Sequence, residues 1–521
     1  MTKTKLIFTA VFAFFVSCAS DDTTREHQGA DNIPTGATLF NGETYSGATR
    51  TAIVEHTKGG GAKVNWSAGD QIWVKDNGGT WRQSDAAAFP ISANKSFGVF
   101  ALNGTYSNLT HQVVYTNLPI TATAQVEIKS AQTQSATNNF DHAGESGDCG
   151  VATAKKRTSG GYEFVLDHKA AYLCFYPRIK NDRLHKNVKL NKIVITSTSG
   201  PIAGKYDFST GSLGATPTSS ASNTITLATA SGEISSDTRM DTCYYVVISP
   251  GNHTLKAEYY IEDPTTHVSD VVSKDLGTIS CTAGKIADIT AWVDKDIPDL
   301  KNNYYQWDAQ QKYWAGFEWN STNPQQPTAN GVNNDNYPKS NTDLRWYNEI
   351  SGFGGTDPIT YENINPLFKS IPNAHEMVWY VMKGDPHWDA NQIWTAFGHL
   401  YKSGMWFKKL SKIAADEGVT MAHMKVDHSE ASPNGLSMNF VNSSISTTPL
   451  SHAEQADYFF LPAMGYYKNG TLNDFGNAGR YWTSTFWGMP GYAHYLEFDS
   501  SMAMESYYQF RVNGLMTVPF K

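Results

Sequence analysis

Short runs of alternating hydrophobic and polar residues dominate the chain from about residue 52 to residue 292. Successive side chains of a strand point to opposite faces, so this alternation predicts antiparallel strands with one buried face. Clusters of Gly, Asn and Ser separate the runs and are typical of turns. We therefore expect two β-sandwiches, at residues 51–170 and 171–292. The clearest runs are residues 63–66, 71–74, 162–166, 191–195, 245–248 and 255–259.

A polar segment with one proline, at residues 293–303, separates this region from a different composition. We interpret it as a domain linker. Ten of the 14 Trp residues follow it. The hydrophobic pattern of residues 304–521 mixes helical and strand periodicity, which predicts an α+β domain.

Two helices are predicted in this last region. Asn373 and Glu376 have the spacing of a capping box, and hydrophobic residues at helical intervals continue to Gly384, a suitable C-cap. A second helix is predicted at residues 410–417, where Gly418 ends it.

The end of the chain is predicted to be a β-hairpin. Alternation resumes at residues 508–512, and the Asn513-Gly514 pair that follows is a strong two-residue turn signal. Residues 516–520 would then form the closing strand.

The first 18 residues predict a lipoprotein signal peptide. An apolar run at residues 6–16 follows two lysines and is far shorter than the ~20 residues that a membrane span needs. The run FVSCA at residues 15–19 resembles a bacterial lipobox, so we expect Cys18 to be acylated and to become the first residue of a protein exported through the periplasm. An ordinary secreted protein is the alternative. Residues 19–50 predict a polar tether or propeptide with one strand near its end.

The overall charge argues against nucleic acid as a partner. The formal net charge is −8, and 17% of the residues are charged, compared with about 25% in a typical soluble protein. A chain of this kind has no basic field that attracts phosphate backbones.

Besides Cys18, the chain has four cysteines, whose spacing contains no CxxC pair. That spacing gives little support to zinc or to thioredoxin-type chemistry. An extracytoplasmic location would permit two disulfides, a question the sequence leaves open. Cys174 lies in an apolar run and is interpreted as a buried, unpaired side chain. The four residues are Cys149, Cys174, Cys243 and Cys281.

The motifs of common enzymes are absent or incomplete. His375-Glu376 resembles the start of a zincin helix, but Trp379 stands where the second histidine is required. There is no GxSxG or P-loop sequence, and paired carboxylates of a glycoside hydrolase would be defined in space rather than in sequence. We predict no catalytic residue, no cofactor and no metal.

Aromatic residues are concentrated in the last 220 residues, together with neutral Asn and Gln. Flat rings stack on the apolar faces of sugars while amide side chains bond the hydroxyl groups, so this mixture suits a carbohydrate ligand. Most of the rings are expected to be buried in the core. Trp482 is among these, whereas Trp388 and Trp487 lie beside Gly- and Pro-containing stretches and are the candidate ligand-binding residues.

The N-terminal region resembles the fimbrillin-like proteins that build type V pili. The resemblance covers about residues 35–292 and is carried by TRT at 49–51, WSAGDQI at 66–72, FVLDHKA at 164–170, IAGKY at 202–206 and ISPG at 248–251. It implies two transthyretin-like β-sandwiches and export as a lipoprotein to the outer membrane and the fimbrium. It also implies assembly by strand exchange, in which an arginine-specific protease removes the N-terminal segment and a neighbouring subunit fills the groove. Arg50 is the candidate cleavage residue and Arg25 the alternative.

The C-terminal region resembles the "major paralogous" domain of bacterial surface proteins, which is similar to the C-type-lectin and formylglycine-generating-enzyme scaffold. The most specific string is GRYWTST at 479–485. The enzymatic branch requires cysteines, and none follows Cys281; the strings of calcium-dependent lectins are also absent. A mostly β pilus tip subunit that accepts a donor strand and adheres to a glycan or surface protein is the resulting hypothesis. The alternatives are a non-polymerising glycan-binding lipoprotein and a carbohydrate-active hydrolase.

Overall fold

The computed structural model describes most of the chain from residue 36 onward, with short gaps. The described residues are 36–43, 52–56, 58, 62–90, 95–236, 242–294, 297–329, 331–349, 365–431, 439–486 and 491–520. The protein is mostly β, as predicted. Cys18, Arg25, Arg50 and Trp487 lie outside the described residues.

The first twelve strands precede residue 169. They are β1 (Thr38–Glu43), β2 (Ala52–His56), β3 (Ala62–Asn65), β4 (Trp73–Lys75), β5 (Trp81–Gln83), β6 (Phe97–Leu102), β7 (Thr110–Tyr115), β8 (Gln125–Ile128), β9 (Ala131–Thr133), β10 (Gly150–Lys156), β11 (Tyr162–Val165) and β12 (Asp167–His168).

Ten strands follow before residue 293. They are β13 (Ala171–Ile179), β14 (Lys189–Ser197), β15 (Ala203–Asp207), β16 (Ser219–Ser222), β17 (Thr224–Gly232), β18 (Ser235–Ser236), β19 (Tyr244–Ile248), β20 (Gly251–Asp263), β21 (Val268–Cys281) and β22 (Ile286–Trp292).

The remaining strands belong to the C-terminal region. They are β23 (Tyr304–Tyr305), β24 (His387–Ala396), β25 (His399–Lys408), β26 (Asn439–Asn442), β27 (Tyr458–Pro462), β28 (Tyr466–Lys468), β29 (Thr471–Asn473), β30 (Gly479–Phe486), β31 (Tyr492–Phe498), β32 (Ala503–Phe510) and β33 (Leu515–Met516). The helices are α1 (Ala143–Ser146), α2 (Leu184–Asn187), α3 (Pro366–Ser370), α4 (Ala374–Lys383), α5 (Leu410–Glu417) and α6 (Met421–Met424), with a 3-10 turn at Glu454–Asp457.

The contacts divide the chain into two compact units. Among the described residues, the first draws on 36–43, 65–90, 95–115 and 151–167. Its sheet runs β5-β4-β7-β10-β11-β1-β6. Beyond β5, Ala88 pairs with Val99 of β6, so the two ends of the sheet come together.

The second unit contains the other β-sheets. The boundary between the two units differs from the one predicted at residue 170. Residues 116–150, which carry β8, β9 and α1, belong to it. The reason is strand pairing: β9 lies beside β17, and β8 lies beside β15. One sheet of this second sandwich runs β21-β20-β14-β17-β9, and β13 lies between β19 and β22 in the other.

Both predicted helices are present with the predicted ends. The Asn373 side chain accepts a hydrogen bond from the Glu376 backbone, and the Glu376 carboxylate accepts one from the Asn373 backbone, which completes the capping box of α4. Gly418 ends α5 in the left-handed conformation, with a φ of 71°. Helix α4 packs against the sheet β23-β33-β30-β31-β32-β26.

The end of the chain does not form the predicted hairpin. β33 pairs with β23 and β30 rather than with β32. Arg511 explains the departure, because its side chain is buried over the ring of Trp307 and donates to the Tyr492 carbonyl at 2.8 Å. The chain therefore leaves β32 and continues on the other side of β30 and β31 in the same sheet, where β33 forms.

The segment predicted to be a linker is tied to its surroundings. The Asp294 carboxylate accepts hydrogen bonds from the backbone of Lys180 and Asn181, at 2.8 and 3.0 Å. The Pro298 carbonyl accepts one from Thr395 in β24. Among the described helices, none is long and apolar enough to cross a membrane.

Candidate functional site

Strand β1 occupies an interior position in the sheet of the first unit. It runs antiparallel to β6, with Phe40 opposite Phe100, and parallel to β11, with Phe40 opposite Tyr162. Interior strands exchange main-chain hydrogen bonds on both edges. β1 reaches this place from the N-terminal segment, far in sequence from β11.

Phe40 anchors β1 in the core of the first unit. Its side chain is fully buried, lies parallel to the ring of Tyr162 with centroids 4.7 Å apart, and meets Tyr106 edge-on at 5.1 Å. Burial of a Phe side chain contributes roughly 1.5–3 kcal/mol, and each aromatic pair adds about 0.5–1.5 kcal/mol. The pocket that holds this ring would be empty without β1.

Gly42 lets β1 pass beneath the aromatic core. A Cβ atom there would lie 2.8 Å from the Phe164 ring and 3.0 Å from the Trp66 ring. The Trp66 indole N–H donates to the Gly42 carbonyl at 3.1 Å. This position therefore accepts only the smallest residue.

Asn41 is less well matched to its place. It is 4% exposed, and its Oδ1 has no hydrogen-bond partner among the described residues. A buried polar atom without a partner costs about 1–3 kcal/mol. The cost of burying the Asn41 amide thus offsets part of the stabilisation that Phe40 contributes.

A cavity of about 530 Å³ lies in the second unit, where loops of the second sandwich meet the C-terminal region. Three stretches of the chain line it: residues 180–183, residues between 299 and 326, and the turn at 395–398. The junction is fixed by Asp263, which accepts hydrogen bonds from His399 Nδ1 and the Leu400 backbone at 2.9 and 3.0 Å.

The wall formed by the turn between β24 and β25 carries aromatic rings. Phe397 and Gly398 both have positive φ, 52° and 76°, as a two-residue type I′ turn requires. Trp319 meets Phe397 edge-on at 6.2 Å, and its ring approaches Gly398 so closely that a Cβ there would lie 3.0 Å away. The half-buried Trp319 thus supplies a flat surface at the cavity.

The remaining lining is polar and carries both signs of charge. Burial lowers the pKa of Lys312. Trp314 is 2% exposed, and its indole N–H has no hydrogen-bond partner within the described part of the chain. The charged lining residues are Lys180, Arg183, Lys301 and Lys312, with Asp182, Asp299 and Glu318. Such a cavity suits a polar ligand with hydroxyl groups and an apolar face.

The tryptophans singled out in the sequence lie in different environments in the structure. Trp482 is buried, at 1% exposure, and donates to the Tyr305 carbonyl at 2.8 Å, as expected of a core residue. Trp388 lies in β24 rather than in a loop, and it is half-buried against the core of the C-terminal region. It does not line the cavity. Trp314 and Trp319 line the cavity, but nothing in the sequence distinguishes them from the other aromatic residues.

The four described cysteines, Cys149, Cys174, Cys243 and Cys281, are buried and form no disulfide. Cys174 is fully buried, as predicted.

No family model and no curated protein matches the chain. Similar solved structures include a candidate cell adhesion protein from Bacteroides uniformis, with 14% identity over 49% of this chain and 94% of that one and a TM-score of 0.31. The fimbrial anchor protein Mfa2 from Porphyromonas gingivalis has 10% identity over 46% and 83%, with a TM-score of 0.21. A fimbrial protein from Bacteroides vulgatus has 12% identity over 49% and 95%, with a TM-score of 0.27. At these scores the superpositions do not establish a function, and we argue it from β1 and the cavity.

Proposed function

We propose that this protein is a fimbrial subunit that accepts a strand from a neighbouring subunit and adheres through its C-terminal region. The interior position of β1 carries the proposal. Cleavage at Arg50, seven residues after the end of β1, would separate this strand from the rest of the chain. Loss of β1 leaves β6 and β11 with unpaired edges that another strand can complete.

The unsatisfied Asn41 favours replacement. A donor strand with an apolar residue at this position would avoid the cost of the buried amide, while a ring at the position of Phe40 would refill the pocket. The exchange would therefore be favourable in free energy even without new contacts elsewhere.

We further propose export as a lipoprotein acylated at Cys18 and a location at the outer membrane and fimbrium. We also propose a position at the tip of the fimbrium, because β33, held between β23 and β30, is poorly placed to be donated to a neighbouring subunit. We assign the chain assembly and binding rather than catalysis. Its partners are other pilus subunits and a surface glycan or protein.

Arg50→Ala tests the assembly step. The variant should fold normally and keep β1, so a stalk subunit should fail to join it in size-exclusion chromatography after protease treatment, whereas the wild type joins. Arg25→Ala is the matched control, and it should behave like the wild type. If Arg50→Ala joins the stalk subunit as the wild type does, cleavage at Arg50 is rejected. If Arg25→Ala fails to join instead, Arg25 is the cleavage residue.

For adhesion, we propose that the cavity beside Trp319 holds the ligand, and that this ligand is a glycan. A ring beside polar groups of both charges matches a sugar with one apolar face. The alternative is a ligand bound at the candidates from the sequence, Trp388 and Trp487.

A glycan array of the full chain would first identify the best-binding oligosaccharide. Trp319→Ala should then weaken its binding by about 1–3 kcal/mol, the loss expected for an aromatic hot spot. Trp388→Ala is the matched control, because both rings are half-buried against the same core and only Trp319 lines the cavity. Loss of binding in Trp388→Ala alone would place the ligand elsewhere.

A further inference from the structure

We propose a zinc site in the second sandwich whose ligands are His56, Cys174, Cys243 and Asp288. Cys174 and Asp288 come from adjacent strands of one sheet, and Cys243 immediately precedes β19 of the same sheet. Cys174 of β13 pairs with Asp288 of β22 on one side and with Tyr245 of β19 on the other. Paired residues share a face of the sheet, and residues two apart on a strand do as well. Asp288, Cys174 and Cys243 therefore point to the same side.

His56 completes the cluster from β2. Donor atoms of His56, Cys174 and Asp288 all lie within 4.8 Å of one another, and His56 Nε2 is 3.5 Å from Asp288 Oδ1. The Cys243 Sγ lies 3.1 Å from the Tyr245 hydroxyl, which is itself 3.4 Å from His56 Nδ1, so the second thiol lies beside this cluster. A tetrahedral zinc with bonds of about 2.0–2.3 Å separates its ligand atoms by roughly 3.3–3.8 Å, so movements of about 1 Å would close the site.

The surroundings match the needs of a metal-bound imidazole. The His56 side chain is 1% exposed, and its Nε2 makes no hydrogen bond to the described residues. The other ring nitrogen, Nδ1, lies 3.2 Å from the Tyr176 hydroxyl and 3.4 Å from that of Tyr245. A metal-ligating histidine donates its second N–H to an oxygen, and these hydroxyls are placed to accept it.

A disulfide explains the two thiols less well. Cys174 lies opposite Tyr245, so Cys243, two residues earlier, is its diagonal neighbour across the strand pair. Diagonal neighbours are about 7–8 Å apart, whereas disulfides need Cα atoms within roughly 6.8 Å. A bridging metal joins the sulfurs without moving the strands.

The site also bears on assembly, and this consequence rests on the proposed function. His56 follows Arg50 by six positions. After cleavage at Arg50, the metal would hold the new chain end against the second sandwich.

The test uses the full chain, reduced, stripped with a chelator and titrated with Zn²⁺ and then Co²⁺. We expect one Zn²⁺ per chain, and with Co²⁺ the absorption of a tetrahedral site with a thiolate charge-transfer band. Cys174→Ser, Cys243→Ser and His56→Gln should each weaken zinc binding roughly tenfold or more. Cys281→Ser is the matched control, since this buried thiol lies at the end of β21 outside the cluster.

Two results would overturn the site. One is a wild-type chain that binds no Zn²⁺ and gives no thiolate band with Co²⁺, a readout that does not depend on any variant folding. The other is a Cys174–Cys243 disulfide in peptide mapping of the non-reduced protein. A cleavage defect in Arg50→Ala leaves zinc binding unchanged, so failure of the proposed function and failure of the metal site can be told apart.

Discussion

Both ends of the described chain place a strand inside a sheet, but the two strands are held differently. β1 has six residues, all of which pair with β6 and the last four of which pair with β11; both partners are distant in sequence. β33 has two residues and follows directly on a turn locked by the buried Arg511. The proposed cleavage at Arg50 would make β1 separable from its unit, whereas β33 would stay covalently joined to β32. This difference is consistent with our proposal that the subunit accepts a strand and does not donate one.

The largest expected effect comes from removing the anchors of the two strands. Phe40→Ala should lower the free energy of unfolding of the uncleaved protein by about 3–5 kcal/mol, and Met516→Ala by about 2–5 kcal/mol, because both side chains are fully buried. After cleavage and addition of a stalk subunit, only the Met516→Ala effect should remain, since residue 40 leaves with β1. Denaturant unfolding measures both. A Phe40→Ala cost that persists in the joined complex would contradict exchange.

A smaller effect is expected from Gly42→Ala. The added Cβ would press on the rings of Phe164 and Trp66, and overpacking of this kind costs about 1–3 kcal/mol. Gly36→Ala tests backbone strain alone in the same segment, because a Cβ at Gly36, where φ is 94°, meets no atom within 4 Å. Equal losses in both variants would mean that the aromatic core does not set the fit of β1.

The smallest expected change is a gain. Asn41→Val removes the buried amide and should stabilise the uncleaved protein by about 1 kcal/mol. Because β1 would then be held more tightly, joining of a stalk subunit to the cleaved protein should be slower than for the wild type. Faster joining would indicate that Asn41 contributes to holding β1.

The sequence predicted those features that depend on neighbouring residues. The capping box at Asn373 and the stop at Gly418 are local, and both are where the pattern places them. β1 was expected only as one strand near the end of a tether, because its place between β6 and β11 depends on partners more than 50 residues away.

The two ligand sites depend still more on distant contacts. The cavity is lined by three separate stretches of chain, so no local pattern distinguishes Trp314 and Trp319 from the other aromatic residues. The cluster around Cys174 joins side chains from β2, β13 and β22 with Cys243, which immediately precedes β19. Motif spacing detects ligands on one helix or one loop, and it has no signal for ligands brought together across a sheet.

Amide hydrogen exchange in β6 and β11 tests the central claim most directly. Both strands should be protected in the uncleaved protein, should lose protection after cleavage at Arg50 and release of β1, and should regain it when a stalk subunit is added. β14 and β20 of the second sandwich, which pair with each other, are the internal control and should stay protected throughout. Unchanged protection of β6 and β11 after release of β1 would contradict the assignment of this groove as the strand-exchange site.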